Sequence, residues 1–146
     1  MTSGNLKTPS VWPFALAAIV SLIGLGDAIY LTIEHITGQS VRCTVIAGCS
    51  EVLSSSYAVV AGIPLAAVGA AAYFGVFSLA TLAAFGYRQA GMLLAILVVI
   101  MFLMTLWLLY LQAFVIHHFC QFCLLSALVT LALTALVVAQ RRLRVA

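Results

Sequence analysis

The sequence predicts an all-α polytopic membrane protein: a bundle of four transmembrane helices with one short helix on its outer surface. Three observations predict it. Of 146 residues, 66% are hydrophobic and only 6% are charged, against about a quarter charged in an ordinary soluble domain. Four apolar stretches reach the roughly 20 residues that cross a hydrocarbon core. Asp27 apart, the charges lie near the ends of those stretches or between them.

The spans are expected at 12–34, 63–85, 92–114 and 121–139, within a single domain covering 1–146. Trp12-Pro13 opens the first, with an aromatic ring at headgroup level and a proline where a helix start tolerates it. That run is too long for a signal-peptide core, so the first span is expected to stay in the mature chain. Gly62-Ile63-Pro64 opens the second span. Gly86 and Gly91 bracket a short turn before the third. The fourth is the shortest, and the arginines behind it can snorkel to the interface.

Two connections face the other side: a long one near 35–62 and a short one near 115–120. Within the long one, residues 51–59 fit a short surface helix with Val52, Leu53 and Tyr57 on one face and Ser50 as its cap. Small residues recur along the spans, among them Gly24, Gly26, Gly69, Ala127 and Ala132, and permit close helix approach.

Charge sets the expected orientation. Lys7, Arg88, Arg141, Arg142 and Arg144 fall on one side, and Arg42 alone falls on the other. Five against one places both termini in the cytoplasm of an inner membrane and the long connection in the periplasm or outside the cell. The basic tail suits anionic membrane lipid. Nothing assigns it to nucleic acid.

All four cysteines then face one compartment. Cys120 and Cys123 are three apart where a helix begins, so their Cα atoms lie about 5–6 Å apart, within disulfide reach. Exposed N–H groups and the helix dipole favour a thiolate there, and the thiolate is the form that exchanges. Cys43 and Cys49 sit six positions apart in the long connection, with Gly48 supplying a turn. The pattern points to a relay: a dithiol donor, then Cys43/Cys49, then Cys120/Cys123, then a lipid-soluble acceptor. A quinone accepts the two electrons of each exchange. Two other readings of the spacing stay open. The cysteines can form structural staples in an oxidising compartment, or Cys120, Cys123, His117 and His118 can bind a metal.

Several segments together resemble the vitamin K epoxide reductase family, specifically its bacterial disulfide-forming members. They are Asp27-Ala28-Ile29-Tyr30-Leu31-Thr32, Cys43, Gly48-Cys49-Ser50-Glu51-Val52-Leu53, Ser54-Ser55-Ser56-Tyr57, Gly62-Ile63-Pro64 and Cys120-Gln121-Phe122-Cys123. The resemblance covers roughly 12–140. It implies a four-helix bundle around a quinone (ubiquinone or menaquinone). Cys120 and Cys123 match the family's active-site pair, Cys123 nearest the quinone. Cys43 and Cys49 match the shuttle pair, Cys43 facing a thioredoxin-like disulfide oxidase. Ser55 matches a serine that helps hold the quinone or the reaction geometry. The implied activity is that of a thiol:quinone oxidoreductase supporting disulfide formation, with quinone-epoxide reduction or a non-catalytic scaffold as the alternatives.

Some positions depart from the family pattern. The loop cysteines are closer in sequence than in many relatives, and Thr44 follows Cys43 where an acidic residue is common. Ala127 stands where the vertebrate branch has a tyrosine, which argues against vitamin K epoxide as substrate. Many bacterial relatives carry a fused thioredoxin-like domain. Here the chain ends at Ala146, so the donor is expected to be a separate protein.

Other polar and aromatic residues complete the expected site. Asp27 lies within a span, where a carboxyl faces the bundle interior or water. Tyr30 and Glu34 share its helix face. It can handle a proton as quinone becomes quinol, or be a buried acid bonded to a helix neighbour. His35, His117 and His118 are proton relays or ordinary interfacial residues. Trp107 and Tyr110 are candidates to line a ring pocket, with aromatic-belt packing as the alternative. Phe119 and Phe122 flank Cys120 and Cys123, and either exclude water from the pair or anchor the helix start.

Overall fold

A computed structural model describes residues 11–38, 52 and 54–145. Four helices dominate it: α1 (Trp12–Thr37), α2 (Leu65–Ala84), α3 (Arg88–Tyr110), which continues as a π turn over Leu111–Ile116, and α4 (Gln121–Val145). Each is long and apolar enough to cross a membrane, α3 counted with its π turn. This is the expected all-α, multi-pass membrane architecture. α1 packs on α2 and α4, and α3 closes the ring by packing on the same two helices.

The boundaries shift for identifiable reasons. α1 runs past residue 34 to Thr37 and stops at Gly38, whose φ of 69° is one a glycine adopts freely. α3 begins at Arg88, straight after Tyr87, so Gly91 lies inside the helix rather than in the turn. The turn is made by Gly86 at φ 100°. α4 is 25 residues long and not the shortest, because Gln140, Arg141 and Arg142 continue the helix beyond the apolar run. The shortest is α2, with 20 residues.

The segment before α2 is also more varied than a single surface helix. Val52 and Ser54 have helical backbone, Ser56–Ala58 form a 3₁₀ turn, and Val59–Val60 pair antiparallel with Ile63–Pro64 as strands β1 and β2. Ala61 at φ 53° and Gly62 at φ 82° make the two-residue hairpin turn, in which both central residues need positive φ. Val52 is buried as expected, whereas Tyr57 is largely exposed. Leu53, Ser50, Cys43 and Cys49 lie outside the described residues.

The core between the helices is built mostly of small and aliphatic side chains, among them Ala17, Val76, Ala80, Leu94, Val98 and Leu133. Tyr73 is the largest fully buried side chain. Its hydroxyl lies 2.6 Å from the Ser126 hydroxyl, 3.1 Å from the Ser126 carbonyl oxygen and 3.2 Å from the Thr130 hydroxyl, tying α2 to α4. The face of its ring lies against Gly24 of α1.

Candidate functional site

The π turn ends at His117, which takes φ 60° and reverses the chain. A left-handed residue that is not glycine is uncommon, and histidine is among the types that tolerate it. Four residues later α4 begins at Gln121. The Cys120 carbonyl accepts from the Leu124 N–H at 2.9 Å, so Cys120 closes the first turn of α4. Its own N–H would be orphaned. Gln112, from the π turn, supplies the partner: the Cys120 N–H donates to Gln112 Oε1 at 3.1 Å, and both residues are buried. An unsatisfied buried N–H would cost about 1–3 kcal/mol. π turns are frequent at functional sites, and here the turn is what carries Gln112 beneath the CxxC motif.

Cys120 and Cys123 are both thiols, one helical turn apart. Cys120 precedes the α4 span, and its thiol is pulled down to about 7. The largest cause is the hydrogen bond from the Cys123 thiol. The N–H groups of Cys123 and Phe122 add to it, and burial opposes it. The helix-start N–H groups expected from the sequence contribute, but the neighbouring thiol is the larger cause. The consequence is measurable. With Cys43 and Cys49 replaced by alanine, thiolate absorbance is expected to titrate with a midpoint near pH 7. Cys123→Ala removes the hydrogen bond that stabilises the anion, so the midpoint should rise toward the ordinary value of about 8.5. A midpoint indifferent to Cys123 would remove that bond as the cause.

The two sulfurs have different surroundings. Cys120 is fully buried in a cluster with Leu31 of α1 and Val52 of the segment before the hairpin. Cys123 is half-buried and lines a cavity of about 140 Å³. The cavity wall is mostly apolar, from Ala28, Leu31, Val52, Leu65, Ala66, Leu108, Leu109, Ile116 and Ala127. Its polar groups are few: Asp27, His35, Ser55, Thr105, Gln112 and Ser126, with Tyr57 nearby on the wall. An apolar lining with a small set of convergent polar groups is the usual form of a small-molecule site. An engineered cavity of about 150 Å³ holds a benzene ring, so this one has room for one six-membered ring.

Several expected residues come together here and others do not. Asp27, Ser55 and Cys123 all line the cavity. The Ser55 hydroxyl donates to the Val52 carbonyl at 2.7 Å, so its proton is committed to its own turn and its lone pairs remain for a ligand. The α1 lining is Asp27, Ala28, Leu31 and His35. Tyr30 and Glu34, expected on the same face, do not line it. Tyr30 instead packs on Phe122 with ring centroids 5.3 Å apart. Phe122 therefore flanks the Cys120 cluster and stands outside the cavity lining.

Trp107 and Tyr110 are displaced more clearly. They are 53% and 50% exposed on the outside of the bundle, stacked on one another at 5.9 Å. The side of α3 that meets the cavity carries Thr105, Leu108, Leu109 and Gln112. Among the described residues no group of three or more His, Cys, Asp or Glu side chains converges to hold a metal, so His117 and His118 do not complete a metal set with the cysteines.

Compared with known protein families, residues 15–138 match the Vitamin K epoxide reductase family. The chain belongs to this family. The match takes in α2 and α3, most of α1 and α4 and the CxxC motif, and membership points to a redox enzyme working through thiols. In this vitamin K epoxide reductase family member, Thr105, Gln112 and Ser126 are polar site residues that sequence reasoning missed. Each left a faint signal: a hydroxyl and an amide within an otherwise apolar run, and a hydroxyl one turn beyond Cys123.

Proposed function

We propose that the protein is a membrane thiol:quinone oxidoreductase. It takes electrons from a separate thioredoxin-like partner at the outer surface, passes them through Cys43/Cys49 and Cys120/Cys123 to a quinone, ubiquinone or menaquinone, and so supports disulfide formation. One observation carries this reading. The two CxxC sulfurs, one helical turn apart, face different neighbours: Cys123 lines an apolar, ring-sized cavity, and Cys120 packs beneath Val52. Cys49 precedes Val52 by three residues, and three residues of chain span at most about 10 Å.

The chemistry follows from these positions. A thiolate at Cys120 is the exchanging form, and its thiol is tuned to ionise near neutral pH. An oxidised Cys120–Cys123 pair accepts two electrons from the loop dithiol. The reduced pair then presents the Cys123 sulfur to the quinone. The Gln112 amide NH2 and the Ser126 hydroxyl offer donors to its oxygens, the Thr105 hydroxyl being committed to the Met101 carbonyl, and the apolar wall keeps water out. Ala127 in the wall offers no hydroxyl, in keeping with a quinone rather than an epoxide as substrate. With the basic residues on the cytoplasmic side, the cysteine end of the bundle faces the periplasm or exterior.

The test is direct. Purified protein supplied with a reduced thioredoxin-like protein and a quinone is expected to form quinol in step with partner oxidation. Thiol trapping during turnover should show Cys43 and Cys49 cycling. Cysteines that stay in one redox state, with no quinol formed, would leave the scaffold reading.

A further inference from the structure

Asp27 is the group in the cavity that thiol exchange leaves unused. It sits in the middle of α1, is 9% exposed, and lines the same cavity as Cys123. Among the described residues neither of its carboxyl oxygens has a hydrogen-bond partner. Buried polar groups are ordinarily paired, and leaving a carboxyl unpaired within a membrane is expensive. A carboxyl serving only packing would be bonded to a helix neighbour, as the nearby Thr32 hydroxyl is, donating to the Ala28 carbonyl at 2.7 Å. The titratable groups that share the cavity wall are His35 on α1 itself, Cys123 on α4 and Tyr57 before the hairpin. α2 and α3 contribute none. Among the described residues no Lys or Arg lines the cavity beside Asp27.

We propose that Asp27 is the proton donor of the cavity, delivering a proton to one oxygen of a quinone ring as the Cys120–Cys123 pair is oxidised. The proposal rests on the thiol:quinone reading above. The balance is simple. The two sulfurs give up two electrons, their S–H bonds break and an S–S bond forms. The quinone takes the two electrons and two protons, and both C=O groups become C–OH. The Asp27 carboxyl gives one of those protons, and its carboxylate takes the proton released by the Cys123 thiol, so Asp27 ends as it began. The proton of Cys120 leaves to water, and the second oxygen draws its proton from the aqueous end of the cavity, where His35 lies two helical turns beyond Asp27.

Asp27→Asn keeps the shape and removes the transferable proton. Quinol formation is expected to slow about a hundredfold or more, the usual contribution of a positioned acid, through kcat rather than the KM for quinone. Thiol exchange with the partner should be unchanged, and the variant should melt no lower than wild type, because an unpaired buried carboxyl has been removed. With Asp27→Ala, added formate should restore part of the lost rate, which a packing role cannot do. Wild-type turnover by Asp27→Asn, a change confined to KM, or a loss of rate matched by a loss of stability would each overturn the donor role while leaving the oxidoreductase reading intact. A wild-type protein that reduces no quinone would overturn both.

Discussion

Replacing Cys123 with serine is expected to reduce quinol formation to the uncatalysed background. Among the described residues Cys123 is the only sulfur in the cavity lining, and Cys120 is fully buried in its cluster with Leu31 and Val52. A hydroxyl cannot form the disulfide through which a two-electron transfer must pass, so no rate is left to recover. The same substitution has a second consequence on the partner side. Cys120 still exchanges with the loop pair, but no neighbouring thiol can resolve the mixed disulfide. That species should accumulate during turnover and be visible on a non-reducing gel, with peptide mapping placing it between Cys120 and Cys49. Cys120→Ser should instead block both transfer to the quinone and the trapped species. Normal quinol formation by Cys123→Ser would end the assignment of this sulfur to the cavity step.

How much of this was legible in the sequence follows from what each signal reports. Span existence was legible because hydropathy over roughly 20 residues reports burial in lipid directly. The CxxC at the α4 start was legible because a helix start and a thiol pair are both local features. Asp27 stood out because a carboxyl in a span must be accounted for. Facing was not legible. α3 is apolar on every side, so periodicity could not say which stripe turns inward. Trp107 and Tyr110 therefore looked as suitable for a ring pocket as Leu108 and Gln112, and the structure turns them outward. The π turn compounds the problem, since it shifts the register of every residue after Tyr110 by an amount that no alternation in the sequence announces. The hairpin had a turn signal in Gly62, but Val59–Val60 and Ile63–Pro64 are too short for a strand pattern to register.

The Tyr73 contact belongs to the same hidden class, and it supports the largest expected effect on stability. A Cβ at Gly24 would lie 2.6 Å from Tyr73 Cζ and 2.7 Å from Cδ1, well inside contact distance. The ring cannot swing aside freely, because its hydroxyl is held by Ser126 and Thr130. Gly24→Ala therefore forces α1 and α2 apart or breaks the tie to α4, at about 1–3 kcal/mol as for other overpacked cores. Tyr73→Phe keeps the ring and loses only the hydroxyl's bonds. In a membrane bundle such bonds average about 0.6 kcal/mol, so the milder variant separates the tie from the packing. The two positions should couple strongly: in a Tyr73→Leu background, where the ring is gone, Gly24→Ala should be nearly neutral. Unfolding of the four proteins of that cycle measures the coupling, and additive effects would mean that the ring does yield. Because Ser126 lines the cavity one turn from Cys123, Gly24→Ala should also raise the KM for quinone, while the Cys120 titration at the far end of that turn stays in place. Glycine at position 24 thus sets how closely α1 and α2 approach, and through Tyr73 it sets where α4 presents its wall of the cavity.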